Sequence, residues 1–181
     1  MQFKMTINRR QFLKLGAGIV GDLVLPDLAD AKKTDKEHIR RRLEPMLDDL
    51  TKKVIEIESE WRYWVQRADS KDTGLMQIKP IVLKEWNEYS KWEKYNMSDL
   101  FDPYKNVLVG MWYLHDRIGK HYIPSYGLDK IPENKLVCYK SGPTLIGRDL
   151  KIKNALEEFE RLPKDAQDYL KKYERLSNGR H

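Results

Sequence analysis

Apolar residues in this chain recur at intervals of three and four, the spacing that puts side chains on one face of an α-helix. The clearest series is Leu47, Leu50, Val54, Ile57 and Trp61. It predicts a helix of about five turns with Pro45 in its first turn. No stretch alternates as a half-buried strand does, and there is no internal repeat. The 181 residues therefore suit one mainly α domain with a real core.

Prolines and a glycine mark the bounds of three further helices. One is predicted just beyond Pro80, and another begins at Pro103, where Asp102 is placed to cap the first turn. A fourth, short helix ends near Gly142. The charged tail from Lys151 is also predicted to be helical.

The N-terminus has the order of an export signal. Arg9 and Arg10 are followed by Phe-Leu-Lys, by a modest apolar run over residues 15–25, and by an A-x-A sequence at Ala29–Ala31. This order resembles a twin-arginine signal peptide. The apolar run contains Asp22 and is shorter than the ~20 residues that a bilayer span needs.

We therefore interpret residues 1–31 as a signal peptide and residues 32–181 as the mature domain, with no permanent membrane span. The expected location is the periplasm or the cell wall. The net charge of +6 favours an anionic partner, either cell wall or nucleic acid. The basic run over residues 32–42 is interrupted by acids and lacks aromatics, so it is interpreted as a solvated approach to a helix. We expect no nucleic-acid partner.

Cysteine and histidine give no sign of a metal or a cofactor. Cys138 is the single cysteine, and its apolar neighbours favour a buried core position over a nucleophile. The four histidines form no i, i+4 pair, and no His-Glu-x-x-His motif occurs. We expect no metal and no cofactor.

Three glutamates stand on alternate residues of the first helix: Glu56, Glu58 and Glu60. At about 100° per residue, Glu56 and Glu60 lie roughly 40° apart on a polar face. Glu58 lies roughly 200° from Glu56, at the edge of the apolar face. Burial there raises the pKa of a carboxyl group, as in a general acid. On position alone, an edge residue paired with a cation is the commoner outcome.

Five motifs in a fixed order decide between these interpretations. They are Glu-Ser at 58–59, Gly-Leu-Met-Gln at 74–77, Asp-Pro-Tyr-Lys-Asn at 102–106, Tyr-Leu at 113–114, and Cys-Tyr-Lys-Ser-Gly-Pro at 138–143. The order resembles the soluble lytic transglycosylase domain of the lysozyme-like superfamily over roughly residues 47–143. One such motif is weak evidence, but five in order are strong.

The resemblance implies a role for each motif residue. Glu58 is the expected catalytic acid/base, and Tyr139 is expected to hydrogen-bond it. Residues 74–77 are expected to form the wall of a saccharide cleft, in which Met76 and Gln77 contact the sugar. The positions with a structural part are Ser59, Gly74, Leu75 and Gly142.

The chain departs from the family pattern at two places. The family's asparagine after the motif tyrosine is Lys140 here, and the alanine that follows is Ser141. Lys140 is a candidate for the lost sugar contact. The loop before Gly74 reads Asp-Ser-Lys-Asp-Thr, where Asp72 replaces small residues and Ser70 is a candidate counterpart of the family's loop serine.

The implied reaction is cleavage of the β-1,4 bond between N-acetylmuramic acid and N-acetylglucosamine by one carboxyl group, which leaves a 1,6-anhydro end. Two alternatives stay open. In a hydrolytic muramidase, Asp69 or Asp72 would activate water. In a non-catalytic peptidoglycan-binding scaffold, the fold would be kept while Lys140 would have abolished the catalytic activity of the site. The expected partner is the glycan strand, with a cell-envelope assembly as a further candidate, and the expected state is a monomer.

Replacing Arg9 and Arg10 together by lysine should trap the precursor in the cytoplasm, because the paired arginines are the residues that define this type of signal. Cell fractionation with N-terminal sequencing of the mature chain, expected to begin near Lys32, measures it. Normal export of the double variant would exclude the twin-arginine interpretation.

Overall fold

The computed structural model describes residues 28–179, with side chains from residue 35 onward. Within that range the regular elements are all helical, and the β-type pairings are two isolated bridges, Gln66 with Thr73 and Thr73 with Ile78. The mainly α class is confirmed. The predicted signal peptide falls outside the described residues except for its end, and it stays a prediction.

The described α-helices, labelled α1 to α7 in chain order, are Leu28–Leu43, Asp49–Ser59, Pro80–Tyr89, Pro103–Met111, Ile123–Tyr126, Pro132–Ser141 and Lys164–Ser177. Short 3-10 helices occupy Glu44–Met46, Met97–Phe101 and Phe159–Arg161. π-Helical segments occupy Trp112–Tyr122 and Thr144–Asp149. The first of these joins α4 to α5 in one continuous helical rod. Of the helices between residues 28 and 179, none has the length and apolarity needed to cross a bilayer.

Helix α2, which carries the glutamates, is shorter than the spacing of apolar residues predicts. Pro45 lies in a separate 3-10 turn, and α2 starts after Asp48, whose carboxylate accepts backbone N–H of the first turn. The helix ends at Ser59, because Glu60 and Trp61 have positive φ angles of 51° and 66°. The five-turn prediction is therefore wrong at both ends. Trp61 is nevertheless buried, since the left-handed backbone at Glu60 and Trp61 turns its side chain back into the core.

Two other predicted helix ends agree with the structure, but the tail predicted to be helical from Lys151 begins its α-helix only at Lys164. Asp102 accepts the N–H groups of Tyr104 and Lys105 at 2.8 and 3.1 Å, so it caps α4. Gly142, with φ of 91°, follows the last residue of α6. Cys138 is a buried core residue, as its apolar neighbours predict.

One buried side chain fastens α4 to the turn that precedes α3. Asn106 donates from Nδ2 to the carbonyls of Thr73 at 2.7 Å and Leu100 at 3.0 Å. Its Oδ1 accepts the N–H of Met76 at 2.8 Å. Three backbone groups that lie away from water thus gain a partner from one amide. A Cβ on Gly74 would stand 2.2 Å from Asn106 Nδ2, so this position, with φ of 77°, requires glycine.

Asn106→Ala should lower the free energy of unfolding by about 3 kcal/mol or more, because three buried backbone groups lose their partner at about 1–3 kcal/mol each. Asn106→Asp should also destabilise, since the second carboxylate oxygen cannot donate to the two carbonyls. Urea unfolding followed by circular dichroism measures both.

The exposed Asn178 supplies a matched control, and Asn178→Ala should stay within about 0.5 kcal/mol of the wild type. Wild-type stability in Asn106→Asp would show that the two donated hydrogen bonds contribute little.

Candidate active site

Glu58 lies in the last turn of α2 and lines a cavity of about 20 Å³, enough for one or two water molecules. The turn before α3, α3 itself, the rod 103–126 and α6 supply the other walls. The residues that line the cavity with Glu58 are Asp72, Gln77, Ile78, Lys79, Val82, Tyr113, Tyr139 and Lys140.

The three glutamates at positions 56, 58 and 60 differ in exposure. The Glu58 side chain is 6% exposed, whereas that of Glu60 is 63% exposed and pairs with Arg62 at 3.6 Å. Glu56 is intermediate and does not line the cavity. Glu58 is thus the glutamate of α2 that meets the cavity, as its position on the helix predicts.

Burial raises the pKa of Glu58 above its ordinary value, because loss of water disfavours the carboxylate. Lys140, Arg67 and Lys79 oppose the rise by attraction, as does hydrogen bonding by Tyr169. Arg67 is the cation in direct contact, with Nη2 at 3.5 Å from Glu58 Oε2. The net pKa shift is upward despite these four opposing contributions, so the neutral form is favoured more than it is in a free glutamate.

Arg67 also approaches a second carboxylate. Its Nη1 lies 3.7 Å from Oδ2 of Asp72, which is buried. One guanidinium therefore stands between the two acids of the cavity. Asp69, the other acid of this loop, is exposed and does not line the cavity.

Two buried oxygens of cavity-lining residues accept no hydrogen bond from the described protein: Asp72 Oδ1 and Gln77 Oε1. Buried polar atoms nearly always have a partner. The orientation of the Gln77 amide is fixed, because Nε2 donates to the carbonyls of Gly74 at 2.8 Å and Val65 at 3.1 Å. Both oxygens are therefore ready to accept a hydrogen bond from a ligand or from water.

Tyr139 does not make the predicted hydrogen bond to Glu58. Its hydroxyl donates to the carbonyl of Met76 at 2.7 Å, so it supports the turn before α3 from the cavity wall. The prediction is corrected because a phenol has one hydrogen to donate, and the backbone carbonyl receives it.

The hydroxyl of Tyr169 in α7 lowers the pKa of Glu58, and the sequence did not predict this contact. Tyr169 is buried, and its hydroxyl has no hydrogen bond of standard geometry to a described atom. Its contribution to the pKa of Glu58 thus comes from a longer or less aligned contact, as is common before substrate binds. The apolar face of Ala166, Tyr169 and Leu170 predicts packing, but no sequence signal links it to Glu58.

Two predicted sugar contacts are not supported by the structure. Met76 has no exposed surface and packs on Gly110, where an added Cβ would meet its sulfur at 2.2 Å. Ser70 is exposed in the loop and does not line the cavity. Ser59 is structural, since its hydroxyl lies 2.8 Å from the carbonyl of buried Leu75 and ties α2 to the turn.

Lys140, the candidate for a sugar contact, lines the cavity. Its ammonium group lies over the ring of Tyr169, 5.7 Å from the ring centre. Its carbonyl accepts a hydrogen bond from Lys79 Nζ at 3.0 Å. Two lysines thus stand side by side at the cavity.

Other reactive groups of the described region are placed elsewhere. Burial raises the pKa of the Cys138 thiol to about 12, so it is protonated at neutral pH. Across residues 28–179, no three histidine, cysteine or acidic side chains are grouped to hold a metal ion.

Comparison with known families identifies the class of the protein. The family model of the Transglycosylase SLT domain matches residues 39–161, well over half of the chain, and the chain belongs to this family. Membership implies transglycosylase-type activity on peptidoglycan. Comparisons with curated proteins and with solved structures gave no match. The match includes all the cavity-lining residues and stops before α7, which carries Tyr169.

Tyr169→Phe should raise the pKa of Glu58 further, because the lost hydroxyl favours the carboxylate form. Carboxyl carbon NMR of protein labelled at glutamate measures the titration directly. Tyr173→Phe, on the same helix but outside the surroundings of Glu58, is the control and should leave the titration of Glu58 unchanged. An unchanged or lower pKa in Tyr169→Phe would show that the hydroxyl does not act on Glu58.

Proposed function

We propose that this protein is a lytic transglycosylase that cleaves the β-1,4 bond between N-acetylmuramic acid and N-acetylglucosamine in peptidoglycan. The products are strands with 1,6-anhydromuramic ends. The observation that carries the proposal is the buried carboxyl group of Glu58, which lines the cavity with its pKa raised. It belongs to the Glu-Ser motif of the family that the chain matches.

In the first half of the reaction, protonated Glu58 acts as the general acid. Its proton passes to the glycosidic oxygen as the bond from that oxygen to C1 of the muramic acid breaks. Positive charge of oxocarbenium type develops on the ring. The bond electrons leave with the protonated oxygen, and Glu58 becomes a carboxylate.

In the second half, the Glu58 carboxylate acts as the general base. It takes the proton of the 6-hydroxyl of the same sugar while that oxygen bonds to C1, which closes the anhydro ring and restores the acid. Because the nucleophile is held within the substrate, proximity replaces a second catalytic carboxylate. No water is consumed.

The opposing influences on Glu58 suit a group that is first an acid and then a base. Burial favours the neutral form that starts the reaction. Lys140, Arg67 and Lys79 favour the carboxylate that exists between the two halves. These influences act in opposite directions on the two forms of the group, as suits a residue that first gives and then takes a proton.

A hydrolytic muramidase is the second candidate, because Asp72 lines the same cavity and has an oxygen without a hydrogen bond. In that reaction Asp72 would orient or deprotonate a water molecule that attacks C1. The product would carry a reducing end, heavier by one water than the anhydro end. The scaffold alternative has less support, since a binding protein has no use for a buried acid with a raised pKa.

Under the same proposal, the mature domain works as a monomer on glycan strands in the periplasm or at the cell wall. The support for export is the twin-arginine-type order of residues 1–31. The positive net charge suits an anionic wall.

Glu58→Gln should lower the rate of peptidoglycan cleavage by about 10²–10⁴-fold or more, because one residue supplies both proton transfers. Folding should be intact or improved, since a buried acid becomes a neutral amide. Mass spectrometry of the released muropeptides measures the reaction, and thermal melting measures stability.

Glu56→Gln, on the same helix, and Glu60→Gln, just after its end, are matched controls, and each should stay near the wild-type rate. Anhydro products from Glu58→Gln at the wild-type rate would leave the mechanism without its acid. Reducing ends from the wild type that disappear in Asp72→Asn would establish the hydrolytic reaction instead.

A further inference from the structure

The cavity carries positive charge that its own acids do not balance. When Glu58 is protonated, Asp72 is the remaining anion, and it is matched by Arg67 at 3.7 Å. Lys79 and Lys140 also line the cavity. In the described part of the chain, neither ammonium group has a carboxylate as an ion-pair partner.

Both lysines are held in place by contacts that leave their charge uncompensated. Lys79 Nζ donates to the carbonyl of Lys140, and Lys140 Nζ lies over the Tyr169 ring. The two side chains are partly buried, so water screens them less than it screens surface lysines. About two positive charges therefore remain beside the acid.

Among the residues that the structure describes, the two ammonium groups have no carboxylate within ion-pairing distance, and their contacts are with a carbonyl and an aromatic ring. An anionic group of the substrate would accept charge-assisted hydrogen bonds from both of them, and such bonds are about twice as strong as those to the neutral hydroxyls of a sugar. The two lysines therefore favour a substrate that carries a carboxylate.

We infer that Lys79 and Lys140 bind a carboxylate of the substrate, namely the free lactyl carboxylate of N-acetylmuramic acid. This inference rests on the proposed function. Both lysines line the same cavity as Glu58, so a carboxylate bound by them lies beside the reacting sugar. The lactyl group is joined directly to the sugar whose C1 reacts, so it enters the site in a fixed position. Carboxylates of the stem peptide lie further away on a flexible chain.

In intact peptidoglycan the lactyl carboxyl group is bound to the stem peptide as an amide. A free carboxylate appears only after that amide bond has been hydrolysed. The reaction that supplies the preferred substrate is therefore amide hydrolysis that removes the stem peptide, and this enzyme acts after it.

Three substrates test the inference: glycan strands with intact stem peptides, strands freed of stems by an amidase, and the freed strands with their lactyl carboxyl groups converted to methylamides. The full mature chain should cleave the freed strands with a kcat/KM about tenfold to a hundredfold above that for the methylamides, as one or two charge-assisted hydrogen bonds provide. The preference should shrink as salt concentration rises.

Lys140→Asn should abolish the preference, measured within this variant as the ratio of kcat/KM on freed strands to kcat/KM on the methylamides. Lys140→Arg, which retains the positive charge, should retain the preference. Lys130→Ala removes an exposed lysine that does not line the cavity, and it should behave as the wild type.

Equal rates on freed and methylamidated strands would overturn the inference, as would a full preference in Lys140→Asn. The fastest cleavage of intact strands would assign the carboxylate to the stem peptide and overturn the lactyl assignment.

A binding measurement on Glu58→Gln separates this inference from the proposed function, because binding needs no turnover. Calorimetry should show tighter binding of a stem-free tetrasaccharide than of its methylamide, whether or not the wild type gives anhydro products, and equal affinities would overturn the inference.

Discussion

The three hydrogen bonds of the Asn106 amide hold the part of the fold on which the site depends. They join α4 to the turn that carries Gly74, Met76 and Gln77 and to the carbonyl of Leu100. A loop of this kind has no sheet or helix to satisfy its backbone, so a buried side chain does so. With the turn fixed, the carbonyl of Gly74 holds the Gln77 amide, and its oxygen is left without a partner at the cavity. The positions of the site residues thus depend on Asn106, which does not itself line the cavity.

The chemistry of Glu58 depends on burial and on positive charge, which act in opposite directions. Burial favours the neutral acid, and the surrounding cations favour its conjugate base. Arg67 reaches both Glu58 and Asp72, whereas the two lysines have no anion of their own among the described residues. Lys140 contributes to this positive charge, and it acts directly on the ionisation of Glu58.

Sequence patterns predicted those features that neighbouring residues determine. Asp102 and Gly142 mark helix ends by local hydrogen bonding and backbone freedom, and the motif order singled out Glu58. The start of α2 was misjudged, because the Asp48 cap lies three residues beyond the proline that seemed to begin the helix. The partner of the Tyr139 hydroxyl and the approach of Tyr169 to Glu58 depend on how distant segments pack, and periodicity along a single helix carries no such information.

Helix α7 follows every cavity-lining residue in the chain, yet its Tyr169 borders the carboxyl group of Glu58. During synthesis the surroundings of Glu58 are therefore completed only after all the cavity-lining residues have been made. A chain cut before α7 would keep Glu58 and the cavity-lining residues but lose the buried phenol beside the carboxyl group. The ionisation of Glu58 thus depends on a helix that no motif of the sequence marks.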